Sequence, residues 1–418
     1  MRVWLVRDME PLPTDPDDRR LMRAGMLCKA LAARGHEVTW FTSTFDHYAK
    51  RQRMARSGTL AVSDNYRIEL LRAPGYRRNG SPFRMWHNWR FARAFLDFAR
   101  HSAQRPDVIV ADIPTTEAAQ AAILVGRRWG VPTLLSIRDL WPDFFGHFLP
   151  PAIRPVLRLA ILRFERQVAY ACGNATAIIG ISPRYLEWGL GKGGRERSAL
   201  DGVVPLGYEP VAAASVEPGE AMARLRQLGI DPGKQLVSFV GTWGGTCDLD
   251  PVLEAAARLQ AQEDVQFVLA GDGDHRSRML ERIAGLPNVV APGWLTATEI
   301  GLLLENSALG LLPYRDKAPQ GLPNKIFEYM AYGAFQISTL RGEAEEVLTD
   351  LAAGRTVDAG DARAMADAIV ESLETMREAG ARERIRGEFN ARYSAAAVYA
   401  DLSERIEGLA GAATRAVS

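Results

Sequence analysis

The stretch Pro313-Tyr-Arg-Asp-Lys-Ala-Pro-Gln-Gly-Leu-Pro-Asn-Lys-Ile-Phe-Glu-Tyr-Met-Ala-Tyr-Gly333 joins a strand end, a loop and an amphipathic helix. The loop contains Gly321, and a helix is predicted over Asn324–Tyr332. Pro323 costs little at a first helical turn, because the N–H that proline lacks has no partner there. Glu328 lies in this helix among apolar residues, where its carboxylate can accept hydrogen bonds from a ribose diol. A solvent-facing helix glutamate is the alternative.

The alternation of strands and helices continues in both directions from this stretch. In the second half, strands are predicted at Gln235–Gly241, Val265–Gly271, Asn288–Ala291, Ala308–Pro313 and Phe335–Ser338, with helices at Pro251–Gln260, Arg276–Ala284 and Asp361–Leu373. In the first half, strands are predicted at Arg2–Val6, Glu37–Thr42, Asp107–Ala111, Val131–Ile137 and Ala175–Ser182, with helices at Leu21–Arg34 and Thr116–Trp129. Such alternation predicts, in each half, a mostly parallel sheet with helices on both faces.

The length of 418 residues favours two domains over one core. The segment Val203–Pro218 is rich in Pro, Gly and Ala and lacks periodicity, so we interpret it as a linker. We predict two Rossmann-like, doubly wound α/β domains, 1-205 and 206-390, facing a central cleft, and a C-terminal helix (391-418) that packs back on the first domain. Such sheets bind ligands where their strands end, and helix N-termini there suit a diphosphate.

The composition argues against several classes of protein. Hydrophobic residues make up 47% and charged residues 24%, and a net charge of +1 gives no indication of nucleic-acid binding. No apolar run reaches the ~18–20 residues that cross a bilayer, and the first residues do not resemble a signal peptide. Cys28, Cys172 and Cys247 lie far apart, without metal-ligand spacing. We expect a cytoplasmic protein with reduced thiols, no metal and no cofactor; its oligomeric state stays open.

Two glycine-rich segments follow predicted strands of the second half. Gly241-Thr-Trp-Gly-Gly245 precedes a helix, so its backbone can approach a diphosphate; a plain tight turn is the alternative. Gly271-Asp-Gly273 lacks the third glycine of a dinucleotide fingerprint. Lys325 and Arg315 flank the start of the predicted helix and are candidates for phosphate binding, with a solvated surface position as the alternative.

The first half also places charged groups at strand ends. Arg138-Asp-Leu-Trp-Pro-Asp143 leaves a predicted strand directly, and charges there are costly unless they have partners or ligands. We predict a ligand-binding role for this loop; an Arg138–Asp139 network that shapes the loop is the alternative. Arg19 and Arg20, in the loop after the first strand, can reach a phosphate or another ligand, or can be surface charges.

The stretch Tyr76–Arg105 is both basic and aromatic. Such a surface can lie against anionic headgroups, which would give peripheral contact with a membrane. An ordinary helix that packs its aromatic residues inward explains the same pattern. Ile153–Val168 adds a second basic amphipathic run, and both interpretations stay open.

The ordered set of motifs resembles glycosyltransferase family 4, closest to its WbuB-like branch. The C-terminal domain of that family carries a Glu-x7-Glu motif; Glu328 stands at its second position, and Gln320 replaces the first glutamate. The other matching segments cover nearly the whole chain: Asp107–Ala111, Ile137–Asp143, Phe239–Gly245, Phe267–Gly273, Pro292–Trp294 and Leu322–Ala331. The resemblance implies a GT-B fold and a retaining, metal-independent transfer of a sugar from a nucleotide-sugar to a glycan or polyprenyl-linked acceptor in cell-surface polysaccharide, lipopolysaccharide or capsule biosynthesis.

The resemblance also assigns roles to individual residues. Glu328 would bind the donor ribose, Gln320 the donor sugar, and Trp294 would border the base, with a core aromatic as the alternative for Trp294. The predicted donor site comprises Glu328, Lys325, Asn324, Gly321, Leu322, Pro323, Gly241, Thr242, Trp243, Gly244, Gly271, Gly273, Trp294 and Arg315. The predicted catalytic residues are Asp139, Arg138 and Gln320, and the predicted acceptor-binding residues are Asp143, Arg19 and Arg20.

Two other functions stay open at this stage. A nucleotide-sugar 2-epimerase on the same scaffold would form product from the donor alone. A non-catalytic partner of an assembly complex is compatible with Gln320 and with the absence of a basic pair after Gly245. Asp248-Leu-Asp250 has the spacing of an Asp-x-Asp metal motif, but it directly precedes a predicted helix, so N-capping explains it better.

Overall fold

The computed structural model describes residues 1–16, 21–143, 154–210, 218–316, 318 and 321–417. The chain divides into two compact units: Met1–Gly207 with Val398–Ser418, and Tyr208–Ala397. The sequence places these boundaries slightly earlier, after residues 205 and 390. Part of the predicted linker, residues 211–217, lies outside the described residues. Each unit has its own hydrophobic core.

The first unit is built on a largely parallel sheet. Its strands are β1 (Arg2–Val6), β2 (Glu37–Ser43), β3 (Phe45–Asp46), β4 (Arg51–Gln52), β5 (Gly58–Ser63), β6 (Tyr66–Leu71), β7 (Val108–Ile113), β8 (Thr133–Ile137), β9 (Ala177–Gly180) and β10 (Gly202–Val203). Its helices are α1 (Arg23–Ala33), α2 (Pro82–His101), α3 (Thr116–Trp129), α4 (Arg154–Asn174) and α5 (Pro183–Gly193). The strand order of the main sheet is β10-β9-β8-β7-β1-β2-β6-β5, in which β5 pairs antiparallel with β6, while β3 and β4 form a separate antiparallel pair.

Local sequence explains where the elements of the first unit begin and end. The residues of β7 are all buried, as expected for a central parallel strand that has helices on both faces. Helix α1 ends where Gly35 adopts a positive φ of 83°, a conformation that glycine reaches without strain. The sequence predicts both features. The β5–β6 hairpin is not predicted. Strand β5 lies at the edge of the sheet, alternates half-buried and exposed residues, and lacks the continuous buried run of a central strand.

The second unit repeats the plan with a shorter sheet. Its strands are β11 (Gln235–Val240), β12 (Val265–Ala270), β13 (Val289–Gly293), β14 (Ser307–Leu312), β15 (Phe335–Ser338) and β16 (Gly354–Thr356). Its helices are α6 (Pro218–Gln227), α7 (Asp250–Arg258), α8 (Arg276–Ile283), α9 (Ala297–Asn306), α10 (Asn324–Ala331), α11 (Glu343–Asp350), α12 (Ala362–Met376) and α13 (Ala381–Arg392). The order β13-β12-β11-β14-β15-β16 is parallel throughout and is that of a dinucleotide-binding fold.

The last helix, α14 (Ala395–Val417), starts in the second unit and passes into the first. Within the first unit, its Leu402, Ile406 and Leu409 are buried. Glu407 accepts hydrogen bonds of 2.8 Å from the Arg34 guanidinium and pairs with His36 at 2.7 Å. These contacts attach α14 to the turn between α1 and β2.

The order of each sheet reverses direction at one point. In the first unit this point lies between β1 and β7, and in the second unit between β11 and β14. Connections from two such neighbouring strands leave toward opposite faces, so a crevice opens at their carboxyl ends, where ligands bind in folds of this type. Residues that follow these four strands are therefore the first candidates for function. No helix in the described part of the chain is both long and apolar enough to cross a membrane.

Candidate functional site

In the second unit, Lys325 of α10 reaches the loop that follows β11. Its Nζ lies 4.5 Å from the centroid of the Phe239 ring. It also lies directly against Gly241, where a β-carbon would collide with the ammonium. Burial lowers the pKa of Lys325, while Cys247 and Glu328 act in the opposite direction. The sequence predicts this proximity of Lys325 to the Gly241 loop, and the structure brings the two together.

Hydrogen bonds and close backbone packing join the loop after β11 to the loop after β12. The amides of Gly241 and Trp243 donate to the carbonyls of Ala270 and Asp272, both at 2.9 Å. A β-carbon at Gly271 would strike the Gly241 carbonyl, and one at Gly273 would strike the Trp243 backbone. The two glycines of the second loop thus permit close packing of two backbones.

Several loop amides are left for a ligand. Those of Thr242, Gly244 and Gly245 have no acceptor among the residues that the structure describes. Together with the Lys325 ammonium they form a group of donors at one strand end, a combination that suits phosphate oxygens. Asn324 is exposed at the first position of α10, and Pro323 precedes it as the N-cap residue, one position earlier than the predicted first helical turn. Gly321 and Leu322 lead into that cap, and Leu322 packs partly on the core.

Glu328 lies one helical turn after Lys325. Its Oε1 accepts a hydrogen bond of 3.1 Å from the Tyr208 hydroxyl. The Glu328 carboxylate favours the charged form of Lys325, but burial outweighs this effect and the pKa of Lys325 is lowered. The site in the second unit therefore combines backbone donors, a cation and a carboxylate within one loop and one helix.

Three other predicted donor residues lie in different environments. The indole of Trp243 is fully buried and belongs to the core. Trp294 is 66% exposed, so the interpretation of Trp294 as a core aromatic is wrong. The Arg315 guanidinium is partly exposed and lies 3.7 Å from Asp248, so this cation already has an acidic neighbour.

The predicted capping by the Asp-x-Asp segment is present only in part. The N-cap residue of α7 is Leu249, whose side chain caps nothing, but Asp248 Oδ1 accepts a hydrogen bond of 3.3 Å from the Asp250 amide at the start of the helix. Asp250 is the first helical residue and forms ion pairs with Arg278, at 2.6 Å, and with Arg282. In the described residues, no group of three or more His, Cys, Asp or Glu side chains is arranged to hold a metal ion.

In the first unit, a buried ionic network occupies the reversal point of the sheet. Arg138 pairs with Glu10 and, at 3.0 Å, with Asp112. Arg7 donates to the same oxygen of Glu10 at 3.0 Å. The Glu10 side chain is inaccessible to solvent; burial opposes its ionisation, but Arg138 and Arg7 outweigh burial and lower the pKa of Glu10. Arg138 is thus part of an ionic network, but the ion pairs are with Glu10 and Asp112 and not with Asp139 as the alternative expects.

Asp139 and Asp143 differ in their surroundings. Burial raises the pKa of Asp139, although Arg7, Arg84 and Arg138 act against the rise. Asp143 uses both of its oxygens inside the unit: one accepts from Lys192 Nζ at 2.6 Å and the other from the Trp188 indole at 2.7 Å. The Asp143 carboxylate is therefore tied to α5, whereas the Asp139 carboxylate is more deeply buried and lies within the influence of three arginines.

A second buried pair joins α2 to the end of β1. His87 Nε2 lies 2.8 Å from Asp8 Oδ2, and both side chains are inaccessible to solvent. The Gly75 amide donates to His87 Nδ1, so the proton of the neutral ring is on Nε2 and is donated to Asp8. The pair fixes the position of α2 relative to the strand end.

Helix α2 buries one aromatic face, as the packing alternative expects, and exposes another; contact of the exposed face with a membrane stays a prediction. Phe91 and Phe95 pack in the core of the unit. Phe83 is 64% exposed and Trp86 51% exposed, and Met85 and Trp89 are exposed as well. A groove of about 300 Å³ opens here, lined by Met85, Trp86, Trp89, Glu117, Arg163 and Phe164.

Some predicted site residues lie outside the described part of the chain. Some residues that form the site are not predicted from the sequence. Gln320, Arg19 and Arg20 are among residues that the structure does not describe. The predicted basic run from Ile153 begins in such a segment too. The side chains that sequence reasoning missed are polar groups at strand ends and at the unit boundary: Asp8, Glu10, Asp112 and Tyr208. A polar residue after a run of buried strand residues is the feature that could have indicated Asp8 and Asp112.

Family models match both halves of the chain. The model described as Glycosyl transferase 4-like domain matches residues 22–200. The model described as Glycosyl transferases group 1 matches residues 234–375. One match therefore falls in each unit. No curated protein sequence matches the chain.

Solved structures with the same fold cover nearly the whole chain. Alr3699/HepE of Anabaena, in complex with UDP, is 16% identical with a TM-score of 0.65, covering 98% of this chain and 100% of that chain. Sucrose-phosphate synthase from Thermosynechococcus elongatus is 17% identical with a TM-score of 0.64, covering 98% and 99%. WaaG, a glycosyltransferase involved in lipopolysaccharide biosynthesis, is 15% identical with a TM-score of 0.61, covering 98% and 100%. The predicted GT-B fold with two Rossmann-like domains is confirmed, whereas the WbuB-like branch stays a prediction.

Proposed function

Because the chain is a glycosyltransferase of the GT-B type, we propose that it transfers a sugar from a nucleotide-sugar held by the second unit to an acceptor held by the first. One observation carries the proposal for the donor. At the reversal point of the second sheet, the Lys325 ammonium lies against the Gly241 loop, and the Glu328 carboxylate follows one turn later on the same helix. This set of groups matches the diphosphate and ribose of a nucleotide.

Each part of the donor has a candidate partner. Lys325 and the amides of the Gly241 loop bind the diphosphate, and Glu328 accepts hydrogen bonds from the ribose hydroxyls. Gln320 binds the sugar hydroxyls, a role that rests on the family resemblance. The exposed indole of Trp294 offers a face to the base. Alr3699/HepE in complex with UDP supports a nucleotide of this class.

The reaction needs no metal in this proposal. The bond between the anomeric carbon and the diphosphate breaks, the acceptor oxygen bonds to the same carbon, and the acceptor proton passes to the departing diphosphate. The negative charge that develops on the diphosphate is stabilised by Lys325 and the fixed loop amides, which are preorganised and need no rearrangement during the reaction. Retention of anomeric configuration is proposed from the family resemblance.

The first unit is proposed to hold a lipid-linked glycan acceptor at the inner face of the cytoplasmic membrane. Asp139 contacts the acceptor hydroxyl, and the network around Arg138 holds its loop in place. The exposed aromatic residues of α2 and their arginine neighbours fit an anionic membrane surface. The likeness to WaaG, described as acting in lipopolysaccharide biosynthesis, supports a role in cell-surface polysaccharide assembly.

Calorimetric titration with UDP, GDP and ADP tests the donor site. We expect Glu328→Ala to weaken the preferred nucleotide about tenfold or more, since a hydrogen bond to a charged group contributes about 1.5–3 kcal/mol. Glu254→Ala, which removes a partly exposed carboxylate of α7 in the same unit, is the control and should bind normally. Full affinity of Glu328→Ala would contradict the proposal. Conversion of the sugar nucleotide without an acceptor would indicate an epimerase.

Sedimentation with vesicles that contain anionic lipid tests the membrane contact. The double variant Trp86→Ser, Trp89→Ser should bind such vesicles several-fold more weakly, because it removes the exposed aromatic surface. Trp294→Ser, which removes an exposed indole of the second unit, should bind like the unmodified protein. Equal binding by all three proteins would contradict a membrane role for α2.

A further inference from the structure

The hydrogen bond between Tyr208 and Glu328 joins two residues that are far apart in the sequence. The Tyr208 hydroxyl lies 3.1 Å from Glu328 Oε1, across a separation of 120 residues. Tyr208 is 4% exposed and is the first residue of the second unit. A buried tyrosine hydroxyl usually has a hydrogen-bond partner, and here that partner is the carboxylate assigned to the ribose.

Tyr208 is held in place by contacts that do not involve Glu328. Its amide donates to the Tyr393 carbonyl at 2.9 Å, and its own carbonyl accepts from the Ala395 amide at 2.9 Å. Its ring packs edge-on against Phe389, with 6.2 Å between the centroids. The hydroxyl therefore projects toward Glu328 from a residue that is held by its main chain and by its ring.

The same segment supports α10 at the neighbouring residue. The ring of Tyr393 lies 4.5 Å from that of Phe327, the residue before Glu328. Tyr208 and Tyr393 are joined through their main chains, so the same pair of residues contacts the Phe327 ring and the Glu328 carboxylate.

We propose that Tyr208 is a positioning residue that holds the Glu328 carboxylate in the orientation that the ribose diol requires. The inference rests on the proposed function, in which Glu328 binds the ribose. A free glutamate samples several rotamers, and freezing them on binding lowers affinity. A hydroxyl that holds one rotamer beforehand reduces this loss. The segment where the chain enters the second unit thereby contributes to nucleotide affinity.

Tyr208→Phe tests the inference, because it removes the hydroxyl and keeps the ring. Dissociation constants are measured calorimetrically for the preferred one of UDP, GDP and ADP and for its 2′-deoxy counterpart. We expect affinity for the ribonucleotide to fall about three- to tenfold, the equivalent of one hydrogen bond. Affinity for the deoxynucleotide should change much less, so the preference for the ribonucleotide should shrink.

Tyr393→Phe is the matched control. It removes a hydroxyl from the same framework while its ring stays on Phe327, so the ribonucleotide preference should be unchanged. An equal loss of affinity for both nucleotides in Tyr208→Phe, or no loss for either, would overturn the inference. Glu328→Ala distinguishes failure of the inference from failure of the proposed function. If Glu328→Ala abolishes the preference for the ribonucleotide while Tyr208→Phe keeps it, Glu328 binds the ribose and Tyr208 does not position it. If Glu328→Ala keeps the preference, or if none of the three nucleotides binds, the proposed function itself fails.

Discussion

Lys325 has its ammonium in a partly desolvated position, against a loop rich in glycine. Burial lowers its pKa, and an aromatic face is its closest favourable partner. Such a cation gains from an anion placed against it, because the anion replaces the water that the charge has lost. We therefore expect a bound diphosphate to raise the pKa of Lys325 above its value in the free protein.

The affinity for a nucleoside diphosphate should consequently fall as pH rises. Below the pKa of the free protein, Lys325 is charged in both states and affinity is at its maximum. As pH rises through that pKa toward the higher pKa of the complex, binding takes up a proton and affinity falls by up to about tenfold per pH unit. Calorimetry in buffers of different ionisation enthalpy measures both the affinity and the proton uptake.

Lys325→Arg is the control for this pH dependence. A guanidinium stays protonated over the whole range, so the variant should bind without proton uptake at alkaline pH. Lys325→Met should weaken binding about tenfold or more at neutral pH, because it removes a charged donor. A pH profile shared by the Lys325→Arg variant and the unmodified protein would show that another group titrates.

Among single residues, the sequence predicts which functional groups lie together when they are close along the chain, and it misses groups that are far apart along the chain. Lys325 and Glu328 belong to one loop and helix, so their proximity follows from helical periodicity. The network of Glu10, Asp112 and Arg138 spans 128 residues between Glu10 and Arg138. Nothing local in the sequence pairs these charges; the sheet order brings their strand ends together.

At the scale of elements, the loops after β11 and β12 depend on glycine for their contact. A β-carbon on Gly273 would overlap the Trp243 backbone, whereas one on Gly285 would meet no atom within 4 Å. Since the obstacle is backbone, a larger residue must separate the loops. Overpacking of this kind costs about 1–3 kcal/mol, and often more when backbone must move.

Gly273→Ala should therefore lower the melting temperature and weaken nucleotide binding, because the amides of the first loop lose their arrangement. Differential scanning calorimetry and nucleotide titration of the same preparations measure the two effects. Gly285→Ala, the same chemical change at an open position, should alter stability by less than about 0.5 kcal/mol and leave binding intact. If Gly273→Ala is destabilised but binds the nucleotide normally, the contact between the two loops is not needed for nucleotide binding.

Periodicity predicts the buried elements better than the half-exposed ones. Strands such as β7 and β12 are continuous buried runs, which stand out in the sequence. The edge strand β5 does not stand out in this way. Helix α2 has aromatic residues on both its buried and its exposed faces, so its sequence does not show which face packs on the core. The sequence offers that helix only as an alternative interpretation and leaves open which aromatic residues face solvent.

At the scale of the whole molecule, the first unit is discontinuous in sequence. Its last part, from Val398 onward, returns after the entire second unit. Ile406 of α14 is fully buried there. The sequence predicts this helix from its amphipathic pattern, and it predicts two domains from the repeated alternation of strands and helices. The pattern alone does not fix the residue at which the chain changes units.

Ile406→Ala should destabilise the first unit by about 2–5 kcal/mol, the usual cost of a large-to-small change in a core. Nucleotide affinity should be unchanged, because the donor groups all lie in the second unit. Glu404→Ala, at an exposed position of the same helix, is the control. Thermal unfolding followed beside nucleotide titration makes the comparison. A clear loss of nucleotide affinity in Ile406→Ala, beside the loss of stability, would show that the second unit depends on the core of the first.

The return of the chain at Val398 also sets an order for biosynthesis. Domains usually fold during translation from the amino end, each when its last residue has emerged. Here the second unit is contiguous from Tyr208 to Ala397, whereas the first waits for α14. All residues of the carboxyl-proximal unit are therefore synthesised before the amino-proximal one gains Leu402 and Ile406 for its interior. The part made first is thus the last to be finished.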